Sequence, residues 1–169
     1  MLYIFAGLPG TGKTTLARRL AVERRAVFVR IDTIEAALKR SSLAIHPAQD
    51  AGYLAGYALA ADNLRCGLAV VADSVNPVEI TRSAWRRCAS DAGAQFVEIE
   101  VTCSDPAIHQ ERVEARTADI KGHRVPDWAA VSARHYEPWR SARIPIDTAY
   151  QTPDGVYAHL LAELDGCDL

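Results

Sequence analysis

The stretch Gly7-Leu8-Pro9-Gly10-Thr11-Gly12-Lys13-Thr14 constrains this chain more than any other feature. It fits G-x-x-x-x-G-K-[ST] and stands between a short apolar run, Leu2–Ala6, and a helix-compatible run, Lys13–Arg24. Glycines at those positions let the backbone wrap a phosphate with its N–H groups pointing inward. The helix that starts there adds a favourable dipole. Lys13 is then expected to face β- and γ-phosphates, and Thr14 to offer a hydroxyl to Mg²⁺. Residues 7–14 together with Thr15 are the expected nucleotide contacts, and ATP with Mg²⁺ the expected ligands.

Around this loop, short apolar runs alternate with longer helical patterns, the signature of an α/β fold with a parallel sheet. Strands are expected at Leu2–Ala6, Ala26–Ile31, Leu68–Ala72, Phe96–Val101 and Ile144–Ile146. Helices are expected at Lys13–Arg24, Ile34–Arg40, Ala51–Arg65, Pro77–Ala92, Pro106–Arg116, Trp128–Tyr136 and Gly155–Leu164. Asp32-x-x-Glu35 and Asn76-Pro77-x-Glu79 have the form of capping boxes. Asp105-Pro106 and Thr152-Pro153 read as a cap followed by proline, and Gly67 and Gly93 as helix-ending glycines. Ser41–Gln49 and Thr117–Asp127 are the polar stretches expected to be loops. Past Arg143 there are five acids and no Lys or Arg, which reads as an acidic solvated face.

At 169 residues the chain is expected to form one domain. A content of 49% hydrophobic and 24% charged residues excludes disorder and coiled coil. Nineteen basic against 21 acidic residues give a net charge of −2, which argues against a duplex nucleic-acid partner. A nucleic-acid end stays open as a partner. Cys66, Cys88, Cys103 and Cys167 lie far apart, with neither a zinc spacing nor a disulfide framework. No apolar run reaches the ~18–20 residues of a membrane span, and the N-terminus lacks the basic region of a signal peptide. A soluble cytoplasmic protein is expected, of undetermined oligomeric state. His46, His109, His123, His135 and His159 form no catalytic or metal-binding spacing and receive no role.

The third apolar run closes on Asp73, as in a Walker B strand, and the next residue is Ser74. ATP-driven machines usually place a glutamate there to activate water. Its absence favours transfer of the γ-phosphate to another acceptor over hydrolysis. Asp32, just after the second strand, can be a base or only a helix cap. Asp73 can serve Mg²⁺, the acceptor or a turn, and Asn76 has the character of a cap. Arg112 and Arg116 share a helix face, where Glu111 and Glu114 could equally pair with them. Tyr53 and Tyr57, four apart, suit core packing as well as a pocket wall.

GLPGTGKT, RID, VVADSVNP, E-R-V-E-A-R, PDW…YEPW and IPIDTA together resemble the small P-loop kinases allied to polynucleotide kinase, zeta toxins and chloramphenicol phosphotransferase. The resemblance implies a fold like that of nucleoside-monophosphate kinases. Its sheet would be five-stranded, parallel and of order 2-3-1-4-5, with a lid at about 117–127 and an acceptor-binding segment at about 33–66. It further implies that Asp32 takes the acceptor proton and that Asp73 and Asn76 face the acceptor. Arg112 would stack on adenine, with Asp147-Thr148 contacting the same ring. Arg116 would enter the lid and touch the transferring phosphate, with Lys121 and Arg124 extending the basic lid. Tyr53 and Tyr57 would line the acceptor pocket. The expected activity is ATP-dependent phosphorylation of a hydroxyl on a small molecule. The alternatives are a 5′-hydroxyl nucleic-acid-end kinase and a nucleotide-binding switch with weak ATPase activity.

Overall fold

Strand β1 (Leu2–Ala6) is buried at all five residues because it lies in the middle of the sheet. The computed structural model describes residues 1–42, 44–45 and 47–167; Leu43 and His46, in the expected loop at 41–49, and the acidic Asp168 lie outside the described residues. Strands β2 (Val27–Arg30), β3 (Val70–Asp73), β4 (Phe96–Thr102) and β5 (Ile144–Asp147) complete a parallel sheet of order β2-β3-β1-β4-β5, as expected. A sheet covered on both faces needs near-continuous apolar strands, which is how LYIFA and VVAD read. Alternate residues of β1 enter different cores. Tyr3 and Phe5 pack with Leu16, Leu20, Ile99 and Leu160, whereas Leu2 and Ile4 pack with Val29, Ala60, Leu64 and Trp85.

Helices α1 (Lys13–Glu23) and α7 (Pro153–Gly166) cover the first face. Helices α3 (Ala51–Arg65) and α4 (Glu79–Asp91) cover the second, and α2 (Ile31–Arg40) joins them through Ile31. Helices α5 (Pro106–Glu114) and α6 (Trp128–Ser132) lie beyond β4 in the chain. The C-terminal acids do more than face solvent, since Asp154 meets Arg19 at 2.5 Å and Asp165 meets Arg24 at 3.1 Å, tying α7 to α1.

Four capping expectations hold. Asp105 accepts hydrogen bonds from the Ala107 and Ile108 amides, and Thr152 from the Gly155 amide. Gly67 and Gly93 adopt positive φ just past α3 and α4. In each case paired amide bonds reach back to the last turn, Gly67 to Leu64 and Leu68 to Asn63, and Gly93 to Ser90 and Ala94 to Ala89.

The two capping boxes do not form. The chain turns from β2 into α2 without a loop, with Arg30 as the N-cap and Ile31 buried as the first helical residue, so Asp32 lies inside the first turn. Helix α4 starts at Glu79 after Val78, and its first amide donates to the Glu137 carboxylate at 2.7 Å. Asn76 instead donates from its side chain to the Phe5 carbonyl, 3.1 Å away, beneath the sheet edge.

The helix expected over Trp128–Tyr136 ends at Ser132. Beyond it the chain is pinned by fully buried Arg82, which donates to the carbonyls of Asn76 and Glu137 and lies 4.1 Å from the centre of the Trp139 ring. Pro138 also disfavours helix at Glu137.

Candidate active site

All strands run the same way, so their C-terminal ends converge on one edge, where the loop after β1 begins. Gly7 sits at φ 141°, and a Cβ there would lie 2.1 Å from the Val101 carbonyl oxygen. Gly10 sits at φ 87°, where a Cβ would meet Val113 at 2.5 Å. Only glycine tolerates both the dihedrals and the crowding. The ring Nε2 of buried His109 lies 2.8 Å from the Pro9 carbonyl. A carbonyl only accepts, so this nitrogen carries the proton, and the imidazole braces the loop against α5. No metal-type or catalytic spacing marks His109 in sequence; its signal was only that it falls on the inner face of a helix.

Lys13, with a side chain only 6% exposed, opens α1, and its Nζ lies 4.0 Å from Asp73 Oδ1. Asp73 ends β3 in register with Arg30 at the end of β2, and Arg30 Nε stands 3.7 Å from Asp73 Oδ2. Both Asp73 oxygens are buried without a hydrogen-bond partner among the described residues. A buried carboxylate flanked by two cations yet lacking hydrogen bonds is a fit place for a hydrated divalent cation. Thr14 lines the adjacent cavity, where a nucleotide's phosphates are expected. Among the described residues no cluster of three or more His, Cys, Asp or Glu could bind a metal unaided, so Mg²⁺ would arrive with the nucleotide's own oxygens.

Arg30 is among the residues that sequence reasoning missed. Besides Asp73 it reaches Asp32 at 3.9 Å and grips Asp119 through two hydrogen bonds of 2.7 and 3.1 Å. Asp119 also receives Arg18 at 2.6 Å. The only sequence signal was a cation closing an apolar strand beside an acid, and Asp119 lies about ninety residues further on. Hydrogen bonds from Arg30 hold the Asp119 carboxyl well below the usual carboxylate range. The segment expected as a lid is thus fastened to the sheet edge through Arg30, which also neighbours Asp32 and Asp73.

Asp119→Asn should loosen this fastening. Hydrogen-exchange protection of the His123 amide, which donates to the Ile120 carbonyl within the segment, should fall about fivefold, on the scale of one partly exposed ion pair. Because the folded-state pKa is depressed, the fastening is complete above the unfolded value of about 3.9 and fades as pH falls through the folded one. Unaltered protection in Asp119→Asn would mean that the segment is held elsewhere.

On the nucleotide side, a cavity of about 180 Å³ is lined by Gly12, Thr15, Arg112, Thr148 and Val156 among others. It adjoins a second, of about 260 Å³, lined by Gly10, Gly12 and Lys13 to Thr15 with Arg112 and Arg116. Arg112 is common to both. Its guanidinium donates to the Thr148 hydroxyl and carbonyl at 2.7 and 2.9 Å, and the Thr148 hydroxyl in turn donates to the Thr11 carbonyl at 2.9 Å. Asp147 lines neither cavity. Its carboxylate is taken up by the amides of Ser104 and Ala149 and by the Ser104 hydroxyl, so it shapes the turn that presents Thr148.

On the other side of Lys13 lies a cavity of about 310 Å³. Asp32, Tyr53, Arg116 and Arg124 line it, with Glu35, Lys39, His123 and Arg134, which were not foreseen. The Tyr53 hydroxyl accepts from the Asn76 amide at 3.2 Å, and burial pushes its pKa up to about 12, so it stays protonated. Tyr57 does not reach the cavity. It packs edge-on against Trp85 at 4.6 Å and donates to the Thr81 carbonyl, which makes it a core residue. Asn76 is likewise fully buried, with its side-chain NH2 donating to Phe5 and its Oδ1 without a partner among the described residues, and its neighbours Val75 and Pro77 form the cavity wall in its place. Lys121 is exposed and lines none of these cavities.

A phosphate-wrapping loop between β1 and α1, with a Walker B-type acid on the neighbouring strand, defines a P-loop nucleotide-binding protein. The chain belongs to the AAA domain family, whose model matches residues 2–136. No curated protein matches it.

Among solved structures it is similar to a protein assigned as a kinase from Chloroflexus aurantiacus j-10-fl, at 21% identity over 97% of this chain and 95% of that one (TM-score 0.72). It is similar to a gluconokinase from Sinorhizobium meliloti 1021, at 17% identity over 96% and 90% (TM-score 0.68). A third is the Mycobacterium tuberculosis APS kinase CysC in complex with AMPPNP and APS, at 17% identity over 98% and 97% (TM-score 0.66). The fold is that of the small P-loop kinases. No helix among the described residues is long and apolar enough to cross a membrane.

Proposed function

We propose that the protein is an ATP-dependent kinase that moves the γ-phosphate to a hydroxyl of a small-molecule acceptor. One observation carries this reading: the phosphate cavity and the larger cavity share Lys13 and Arg116, while Asp32 lines only the second. A phosphoryl group at that junction would meet cations on one side and an acceptor beside a carboxylate on the other. The kinase neighbours support it, one of them bound to AMPPNP and APS.

In this reading residues 1–169 act as one unit, with 117–127 as lid and 33–66 as acceptor-binding segment. The P-loop amides and Lys13 bind the phosphates, and Arg112 and Thr148 border the adenine. Asp32 accepts the proton of the acceptor hydroxyl as its oxygen bonds to the γ-phosphorus and the bond to the β-phosphate oxygen breaks, releasing ADP. Arg116 and Arg124 neutralise charge on the transferring group, for which a planar guanidinium is suited. Mg²⁺, held by Thr14 and through Asp73, would neutralise the β- and γ-oxygens. The work is positioning and charge stabilisation.

Ser74 follows Asp73 where a water-activating glutamate would stand, so hydrolysis without acceptor should be slow, well below the 1–10³ s⁻¹ of ordinary enzyme turnover. The test is an ATP-consumption screen across nucleosides, sugars, aminoglycosides, chloramphenicol-like compounds and 5′-hydroxyl oligonucleotides. One class should raise consumption manyfold. Fast hydrolysis that no acceptor alters would count against the kinase reading.

A further inference from the structure

The charges on the acceptor cavity do not balance. Five cations line it, Lys13, Lys39, Arg116, Arg124 and Arg134, against two acids, Asp32 and Glu35. Elsewhere, several guanidinium groups beside the sheet meet carboxylates, Arg30 with Asp119, Arg86 with Glu98 and Arg143 with Glu100. Among the described residues the side chains of Arg116, Arg124 and Arg134 have neither an ion-pair nor a hydrogen-bond partner. Lys39 meets only Glu35, at 3.6 Å. ATP accounts for part of the excess, since Lys13 and Arg116 also line the phosphate cavity, and Arg124 belongs to the lid. Lys39 and Arg134 are left with no phosphate of ATP to serve.

Their placement adds a dimension. Asp32, Glu35 and Lys39 lie at i, i+3 and i+7 on α2, one face of the helix, and all three border the cavity. Seven residues of helix span about 10 Å. The candidate base and Lys39 therefore border one cavity wall from different turns of α2. Arg134, in the turn after α6, approaches from another element.

Resting on the kinase reading, we propose that the acceptor is a small hydroxyl compound bearing an anionic group, a carboxylate, phosphate or sulfate, several bonds from the hydroxyl that is phosphorylated. Lys39 and Arg134 hold that anion while Asp32 meets the hydroxyl. A neutral sugar or nucleoside would leave Arg134 without a counter-charge and Lys39 with Glu35 alone. An anionic acceptor neutralises them and is oriented by doing so. The cavity, about 310 Å³, suits a small molecule.

The first experiment reads binding alone. The protein is saturated with Mg²⁺ and a non-hydrolysable ATP analogue, which occupies Lys13 and Arg116, and is titrated calorimetrically with inorganic phosphate and, separately, with sulfate. Saturable binding that weakens with added salt is expected. Lys39→Gln/Arg134→Gln should weaken it about tenfold while leaving affinity for the analogue unchanged. No anion binding, or equal binding in the variant, overturns the proposal.

The second experiment follows transfer of labelled γ-phosphate to matched pairs that differ in charge: gluconate against glucitol, glycerate against glycerol, and a sugar phosphate against its sugar. The anionic member should be the better acceptor, the pairs separating carboxylate from phosphate recognition, and the double variant should raise its KM with little change in kcat. Preference for neutral members overturns the anionic acceptor and leaves the kinase reading standing. Anion binding that depends on Lys39 and Arg134, with no transfer to any compound, would leave the anion site standing and remove the kinase reading.

Discussion

Asp32→Asn should cut acceptor phosphorylation by about 10²–10⁴-fold, the contribution of a positioned general base. Stability should scarcely change. Asp32 sits in the first turn of α2 without a capping bond, where its charge interacts with the helix N-terminus for about 0.3–1 kcal/mol. Its nearest cation, Arg30 at 3.9 Å, retains Asp73 and Asp119. Affinity for ATP should be unchanged, because Asp32 lines the acceptor cavity and not the phosphate cavity. The decisive measurement is turnover with an acceptor found by the screen, alongside melting temperature and ATP affinity. Full activity in Asp32→Asn would remove Asp32 from the mechanism.

Lys13→Met should abolish turnover, by about 10³-fold or more, the scale felt when a charge at the transferring phosphoryl group is lost. It should also weaken ATP binding, since methionine keeps the apolar stem and drops the ammonium. The geometry adds a second effect. Asp73 is 2% exposed and, among the described residues, has Lys13 and Arg30 as its only nearby cations, so the variant leaves a buried carboxylate facing one partner. A lower melting temperature is expected, restored in part by Lys13→Met/Asp73→Asn while activity stays absent. Turnover with unaltered ATP affinity in Lys13→Met would refute the P-loop assignment.

Much of this fold is legible in the chain because its strands are short apolar runs with strong punctuation. Leu2–Ala6 and Ala51–Arg65 match their expected bounds, and the cap-then-proline signals at Asp105 and Thr152 act as their chemistry suggests. The readings that failed depend on partners distant in sequence. Asn76 looks like a cap locally, but Phe5 is nearer to its side chain, and Glu137 supplies the cap instead. Trp128–Tyr136 has helical spacing, but Arg82 draws the segment after Ser132 away. The site divides along the same line. A contiguous motif such as residues 7–14 announces itself. The Arg30–Asp119 contact and the cavity wall shared by α2 and the turn at Arg134 exist only after the sheet has brought four segments together.

The order of the sheet also governs how the chain matures. β1 precedes every other strand in the sequence but occupies the centre of the sheet, between β3 and β4. Its register partners begin at Val70 and Phe96, so the segment LYIFA leaves the ribosome long before either flank exists. At about 5–20 residues per second, roughly 5–20 s pass before the last of them is translated. Throughout that interval a fully apolar pentapeptide has both edges bare, and the glycine-rich loop after it has no floor to rest on. A nascent chain of this topology therefore carries an unpaired apolar segment at its amino-terminal end until both flanking strands have been made.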